Sequence, residues 1–575
     1  MRKQGILYIL LILALWSCRE DFERNVSTPV AFTPELIDDF MLDEDMVNAS
    51  LIGFVQDEMQ NPIADALVIL NGTPTTTDIY GHFFYTDHPM NREGTTVEIQ
   101  ADNYHQHSKL FYPSEGATEK LDIVLTEIED DSEFNGLIGG SLPIDEDILL
   151  EYSDEAFLSS DGNRYEGTVR VLSTLMSSSL DKFALKAPGN FQAVDIENKL
   201  VGLRPQSLLQ ISFLDESGNA LLIDKEAEVS VQIPTSATAV EAWYYVPSFG
   251  LYTINTQTTL ENSSLRIGLS HNNFILLANS FDSELNTIQL SALDGSGILE
   301  DINAKWITED GITVQSVLSN NLGIAKINTP ITSEGRLTMK DACGNIVYNE
   351  APSNLNSEVL IDNITLRSYE GELYACNVDP IEDGVIAVRQ GDQIRYHYIS
   401  NSIFDLALQV CNNGEANIQG FDGMSFGQTV GININLEAED ELGDIFACDD
   451  PQVNMLHLIN KSTGEECFYP IQSGDGNTAN VTEFEFINNG QDINIKVSFN
   501  GSQEGDYSAN DSHEVEALED TSKEINFAGD AVFFLVSRFG STNKLTTGVF
   551  EGSFEDVDRQ VIEELQGSFN FYFRE

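Results

Sequence analysis

The sequence predicts an all-β protein made of several β-sandwich modules in tandem, with very little helix. Two observations carry this. From about residue 48 the chain runs as short stretches of alternating apolar residues, among them Leu121–Leu125, Thr168–Leu172, Val229–Ile233, Ile493–Phe499 and Ser568–Phe573. Alternation with a period of two marks a strand with one buried face, and the Gly, Asn and Asp residues between the stretches supply turns. Helical periodicity is nearly absent. Only Glu35–Met46 and Asp556–Gln566 read as short helices. Many short strands with turns between them stack as sandwiches, not as an α/β enzyme fold.

Length and charge narrow the function. The chain has 575 residues, 41% of them hydrophobic, which is enough for several cores. Its 29 basic and 93 acidic residues give a net charge of −64. Such a surface repels the phosphates of nucleic acid, so no nucleic-acid partner is expected.

The N-terminus reads as an address. Arg2 and Lys3 precede an apolar run from Ile6 to Trp16, too short to cross about 30 Å of hydrocarbon as a helix. Leu15-Trp16-Ser17-Cys18 then resembles the lipobox of bacterial lipoproteins. That resemblance implies a signal peptide over 1–17, lipidation of Cys18 and a membrane partner reached through the lipid anchor. Glu20, Asp21 and Glu23 follow and resemble the acidic tag that sends Bacteroidetes lipoproteins to the outer face of the outer membrane. Residues 18–47 are expected to be an acidic tether.

Residues 53–85 carry a second resemblance. Gly53, Val55, Asp57, Asn61-Pro62, Ala66, Val68, Gly72, Thr77-Asp78, Gly81 and Phe83 are similar to the carboxypeptidase regulatory-like domain, a transthyretin-like sandwich expected over 48–127. Each position also has a local reason: Asn61-Pro62 presets a turn, and Ala66, Val68 and Leu70 alternate inward along one strand. The acid-rich stretch Glu127–Glu133 reads as a solvated linker. Residues 134–280 are similar to the sandwich shared by zona-occludens proteins and netrin receptors, on Trp243 and Gly250-Leu251-Tyr252. Over 286–367 an Ig-like or degenerate copy of the first module is expected, because Val317–Ile327 lines up with Thr75–Tyr85 and places Asn320 on Asp78 and Gly323 on Gly81. Two further β modules, 372–473 and 480–575, complete a line of five. The segments 546–556 and 565–575 resemble a C-terminal hairpin of small Bacteroidetes lipoprotein domains.

The chemistry-bearing constellations are thin. His513-Glu514-Val515-Glu516 spells HxxE, but no histidine follows it and position 517 is Ala, so no zinc peptidase is expected. Gly423-Met424-Ser425-Phe426-Gly427 spells GxSxG, with Asp449 and His457 downstream, yet Val430–Leu436 reads as a strand where a nucleophile elbow needs a helix. The expectation is a non-enzyme. His105 and His107 share a strand face and read as exposed histidines without a third metal ligand.

Trp243, Tyr244, Tyr245 and Tyr252 are the candidate sugar-stacking residues. Core packing is the favoured reading, since alternation buries at least half of them, and a glycan platform is the alternative. The acids Asp145, Glu146, Asp147, Glu437, Glu439, Asp440, Glu441, Asp444, Asp449 and Asp450 offer oxygen ligands for Ca²⁺, and no other cofactor is expected. Export favours disulfides among Cys343, Cys376, Cys411, Cys448 and Cys467. Their connectivity stays open, with Cys448 and Cys467 the closest pair in sequence. The function expected is a non-catalytic, lipid-anchored surface protein with an adhesion-type structural role. The alternative is a glycan-binding lipoprotein of a polysaccharide-uptake system, and the partner is then a glycan or a surface protein.

Overall fold

In this computed structural model the described residues are 45–448, apart from short segments of which 423–430 is the longest. They also include strands within 455–572, where side chains are described at only a few positions. Cys18, the tether up to residue 44 with nearly all of the helix expected over Glu35–Met46, Ser425, and the acids Glu146, Asp147, Glu439, Asp440, Glu441, Asp449 and Asp450 lie outside them. Met46 begins a strand, so the tether expected over 18–47 ends earlier and the helix does not reach Met46.

Seven strands make the first module: β1 (Met46–Gln56), β2 (Leu67–Leu70), β3 (Thr73–Thr76), β4 (His82–Asn91), β5 (Thr95–Gln100), β6 (His107–Phe111) and β7 (Thr118–Val124). They form two sheets ordered β4-β1-β7 and β3-β2-β5-β6, with β1 and β7 parallel. Leu51, Val55, Phe83 and Ile123 of one sheet meet Val68, Leu70, Val97 and Ile99 of the other in a single core. The same plan recurs twice. Strands within 283–361 and within 366–446 each form a three-stranded sheet of the fourth, first and seventh strands and a four-stranded sheet of the third, second, fifth and sixth.

One backbone contact recurs with the plan. Val55 N donates to Gly81 O at 2.8 Å, and Ile63 N donates to Val55 O at 3.0 Å. Leu290 with Gly323 and Leu299, and Leu373 with Ser402 and Ile381, repeat both bonds at the same lengths. Asn320 thus stands where Asp78 stands, each accepting the amide four residues on through Oδ1, from Ile324 at 3.0 Å and from His82 at 2.8 Å. Both turns need a glycine. Gly81 and Gly323 have φ of 79° and 70°, and an added Cβ would lie 2.4 Å from Val55 O and 2.6 Å from Leu290 O.

The second module is a different sandwich, a seven-stranded sheet on a five-stranded one. Its larger sheet is buried on both faces. Leu209, Ile211, Ile275 and Leu277 face their own sandwich, whereas Leu208, Trp243, Tyr245 and Leu276 join a core shared with Trp306, Val314 and Leu337 of the third module. The four-residue helix Phe183–Lys186 lies at its edge.

The C-terminal region closes on itself. Strands Met455–Asn460, Glu466–Thr478, Val481–Asn488, Ile493–Asn500, His513–Glu519, Asn526–Gly529 continued by Ala531–Arg538, Leu545–Asp556 and Val561–Tyr572 pair antiparallel in sequence. The last pairs with the first, Asn570 opposite Met455, so the ring is an eight-stranded up-and-down barrel with no free edge at that seam. This moves the expected boundary: residues 455–478 belong to the barrel and not to the preceding module. It also replaces the helix expected over Asp556–Gln566 by a hairpin in which Asp556 faces Val561, because cross-strand pairing along all of Leu545–Asp556 outweighs the local pattern.

Nor do the modules form a line. The first packs on the second through Leu110, Val194 and Leu251. It packs on the fourth through Ile52, Val385, Ala387 and Phe421, with Phe84 and Tyr398 alongside. Apolar residues that alternate onto the outer faces of these sheets are covered by neighbouring modules instead of water.

Candidate functional site

Two buried lysines, Lys109 and Lys120, and the half-buried Lys326 lie where the first three modules converge. Lys109 on β6 donates to Ala184 O at 2.6 Å and Ala187 O at 3.4 Å, satisfying carbonyls at the end of the short helix in the second module. Lys326 of the third module donates to Pro113 O of the first at 2.6 Å. Lys120 on β7 reaches Glu300 Oε1 at 2.6 Å and Asp301 Oδ1 at 2.8 Å in the third module. His397 of the fourth completes that cluster, 3.6 Å from Glu300 and 3.8 Å from Asp301.

Burial sets the electrostatics here. Burial alone would lower Lys120, but the Asp301 and Glu300 carboxylates outweigh it and the net shift is upward. For Glu300 burial pushes upward, and Lys120 with His397 more than reverses this, holding the carboxyl well below the usual range. Glu300, Asp301 and His397 have the spacing of a metal-binding triad, and the Lys120 ammonium already supplies a cation there. Lys109 lacks such partners, and burial pushes it down to about 8. Burial raises Glu119 to about 7, moderated by hydrogen bonds from Asn320 Nδ2 at 3.0 Å and Ser114 N at 2.8 Å.

A cavity of about 120 Å³ opens among these elements, lined by β6 and β7, the short helix with Asn190, and third-module strands that include Lys305, Gln315 and Lys326. Gln315 Nε2 donates to Asn190 O at 2.6 Å across one wall.

The residues singled out in the sequence lie elsewhere or play other parts. Trp243, Tyr244, Tyr245 and Tyr252 are 1%, 7%, 1% and 0% exposed, so they offer no sugar platform. The sheet that carries them is covered on both faces, which buries both halves of the alternation. Tyr245 OH is hydrogen-bonded to Ser108 Oγ at 2.5 Å, and Tyr252 OH donates to Pro188 O at 3.0 Å. His105 and His107 are buried, not exposed, because β6 lies against the second module; His105 Nε2 is 3.0 Å from Thr174 Oγ1.

Among the calcium candidates, Asp444 is fully buried. It accepts from Glu372 N at 3.1 Å and from Leu545 N at 2.7 Å, tying the barrel to the fourth module. Cys448 bonds Cys376, and Cys343 bonds Cys411 across the third and fourth modules, so the expected Cys448–Cys467 pair does not form. The junction lysines carried one signal in the sequence: single cations inside apolar strand stretches of an acid-rich chain.

No family model matches the chain, and no curated protein matches it. Solved structures similar to parts of it include the major pilin subunit of Bacillus cereus (8% identity, 71% of this chain and 100% of that one, TM-score 0.13). The Bacillus anthracis TIE protein (11%, 67% and 66%, 0.13) and a streptococcal ancillary pilin (8%, 37% and 92%, 0.14) are others. TM-scores this low assign neither family nor function.

Proposed function

We propose that this chain is a non-catalytic, lipid-anchored surface protein whose modules form a rigid structural and interaction block. The observation that carries the reading is the interlocking of four sandwiches. Junction lysines, shared apolar cores and the Cys343–Cys411 bond each cross a module boundary, which suits a part that holds its shape away from a membrane. Among the described residues no helix is long and apolar enough to cross a membrane. On this reading Cys18 and the tether supply the attachment. His457 lies on a barrel strand opposite Phe468 and Ser568, in a setting of paired strands.

The test is Cys18→Ala in a bacterial host that processes lipoproteins, followed by membrane fractionation and protease treatment of whole cells. The wild type is expected in the outer-membrane fraction and accessible to protease, and the variant unprocessed or released. Normal processing and membrane retention of the variant would reject the anchor.

A further inference from the structure

The cavity between the first three modules disfavours charge of either sign. Burial pushes Glu119 up to about 7 and Asp122 upward, and it pushes Lys109 down to about 8 and Lys326 downward. The charges held there already answer one another. Glu119 is the electrostatic partner of Lys326, and Lys120 holds Glu300 and Asp301 at 2.6 and 2.8 Å. An ionic guest would lose its hydration without gaining a counter-charge. What the wall leaves open is neutral hydrogen bonding. Asn190 donates through Nδ2 to Tyr112 Oη at 3.2 Å and to Gln192 Oε1 at 3.1 Å, while its Oδ1 is buried without a hydrogen-bond partner. Lys109 gives two of its three N–H groups to Ala184 O and Ala187 O. Phe111, Tyr112 and Phe191 add apolar surface to the same wall. The volume of about 120 Å³ has room for on the order of ten waters, the space of a monosaccharide-sized molecule. On one side Asn303, Lys305 and Ser316 are half-exposed, which puts the mouth of the cavity at the surface.

We propose that this cavity binds a neutral polyhydroxylated molecule of monosaccharide size, with one hydroxyl donating to Asn190 Oδ1, another accepting from Lys109 Nζ and its C–H face against the aromatic side chains. A hydroxyl both donates and accepts, so one kind of group meets both needs without bringing in charge. A buried acceptor left unpaired is costly, and a bound hydroxyl removes that cost. The aromatic side chains cover the apolar side of such a ring while its hydroxyls stay hydrogen-bonded. This site goes beyond the scaffold reading and does not rest on it, and it uses none of Trp243, Tyr244, Tyr245 and Tyr252.

The test is isothermal titration of the full chain with glucose, galactose and myo-inositol, and with galacturonate as the charged control. Saturable one-to-one binding of at least one neutral compound, with galacturonate at least tenfold weaker, is expected. In the wild type the bound compound should slow hydrogen exchange at the amides of Lys109–Tyr112 and Thr313–Leu318, which border the cavity. Asn190→Ala removes the acceptor and Ser316→Phe blocks the mouth, and each is expected to weaken binding at least tenfold. Should either variant lose its fold, as judged by circular dichroism, the exchange pattern of the wild type decides the location. Absence of saturable heat from all three neutral compounds at tens of millimolar, which would mean a cavity filled by water only, would overturn the proposal. So would galacturonate binding as tightly as the neutral compounds, slowed exchange confined to other strands, or unchanged affinity in a folded variant.

Discussion

Positions 53 and 83, 288 and 325, and 371 and 404 are the same cross-strand pair in three modules. They hold Gly with Phe, Ile with Ala, and Gly with Phe, so volume is exchanged across the pair while the sum is roughly kept. An added Cβ at Gly53 would lie 2.1 Å from the Phe83 ring. Gly53→Ile alone should cost about 3 kcal/mol and Phe83→Ala about 3–5 kcal/mol, whereas the double variant should fall short of the sum by about 2 kcal/mol. Hydrogen exchange of the β1 amides measures all three. His107 gives a pH prediction. Burial first, and Lys109 second, lower it to about 3, against 6.5 in an unfolded chain. Below pH 6.5 the unfolded chain takes up a proton that the folded one refuses. The contribution is therefore complete above pH 6.5 and declines as pH falls toward 3. Between pH 7 and 5 that loss is about 2 kcal/mol, and His107→Asn should remove it from the exchange-derived stability of β6. Glu119, raised to about 7, works in the opposite sense, gaining stability as pH falls from 7 to its unfolded value of 4.5.

At the level of elements, a set of aspartates has a structural part in turns. Asp57, Asp215 and Asp341 each accept the amide of an asparagine four residues on, Asn61, Asn219 and Asn345, at 2.8, 2.8 and 2.7 Å. These acids close turns between strands, each with an Asp-x-x-x-Asn spacing. The last of them sits beside the Cys343–Cys411 bond. Gln409 Nε2 donates to Asp341 Oδ2 at 2.8 Å, so the third and fourth modules are joined there by hydrogen bonds as well as by sulfur. A bridge over a sequence separation of 68 stabilises by about 4 kcal/mol in the chain-entropy account. Cys343→Ser should lower the melting temperature of this pair of modules and leave their strand content intact in the far-ultraviolet spectrum. In the barrel, Gly548 faces Phe569 and Gly567 faces Phe550, reciprocal pairs that the motif Gly-x-Phe on both strands made legible.

The arrangement of the whole molecule rests on few residues. Lys120 holds both Glu300 and Asp301, at 2.6 and 2.8 Å, more closely than His397 does at 3.6 and 3.8 Å, and its side chain is 6% exposed. Lys120→Met leaves the two carboxylates with His397 as their one remaining ion-pair partner among the described residues and should cost about 3 kcal/mol. Because the loss falls on a boundary, the expected sign is increased proteolysis between modules and a larger radius of gyration by X-ray scattering, with the individual sandwiches retained. An unchanged radius and cleavage pattern would show that the apolar contacts around Ile52 and Leu110 hold the block by themselves.

Local pattern determined the fold class, the first module and the copy relation of Asn320 and Gly323 to Asp78 and Gly81, because strand alternation and turn geometry depend on neighbours in sequence. The third copy was hidden, since Ser402 replaces the glycine at φ 62°. Only the tertiary structure decided the fate of Trp243, Tyr245, His105 and His107, the partners of Cys343 and Cys448, closure of the barrel and the lysine-lined cavity. Each is a contact between residues far apart in the chain, whether a sheet face covered by another module, a disulfide or the seam between the first and last barrel strands, and a period of two carries no information about such contacts.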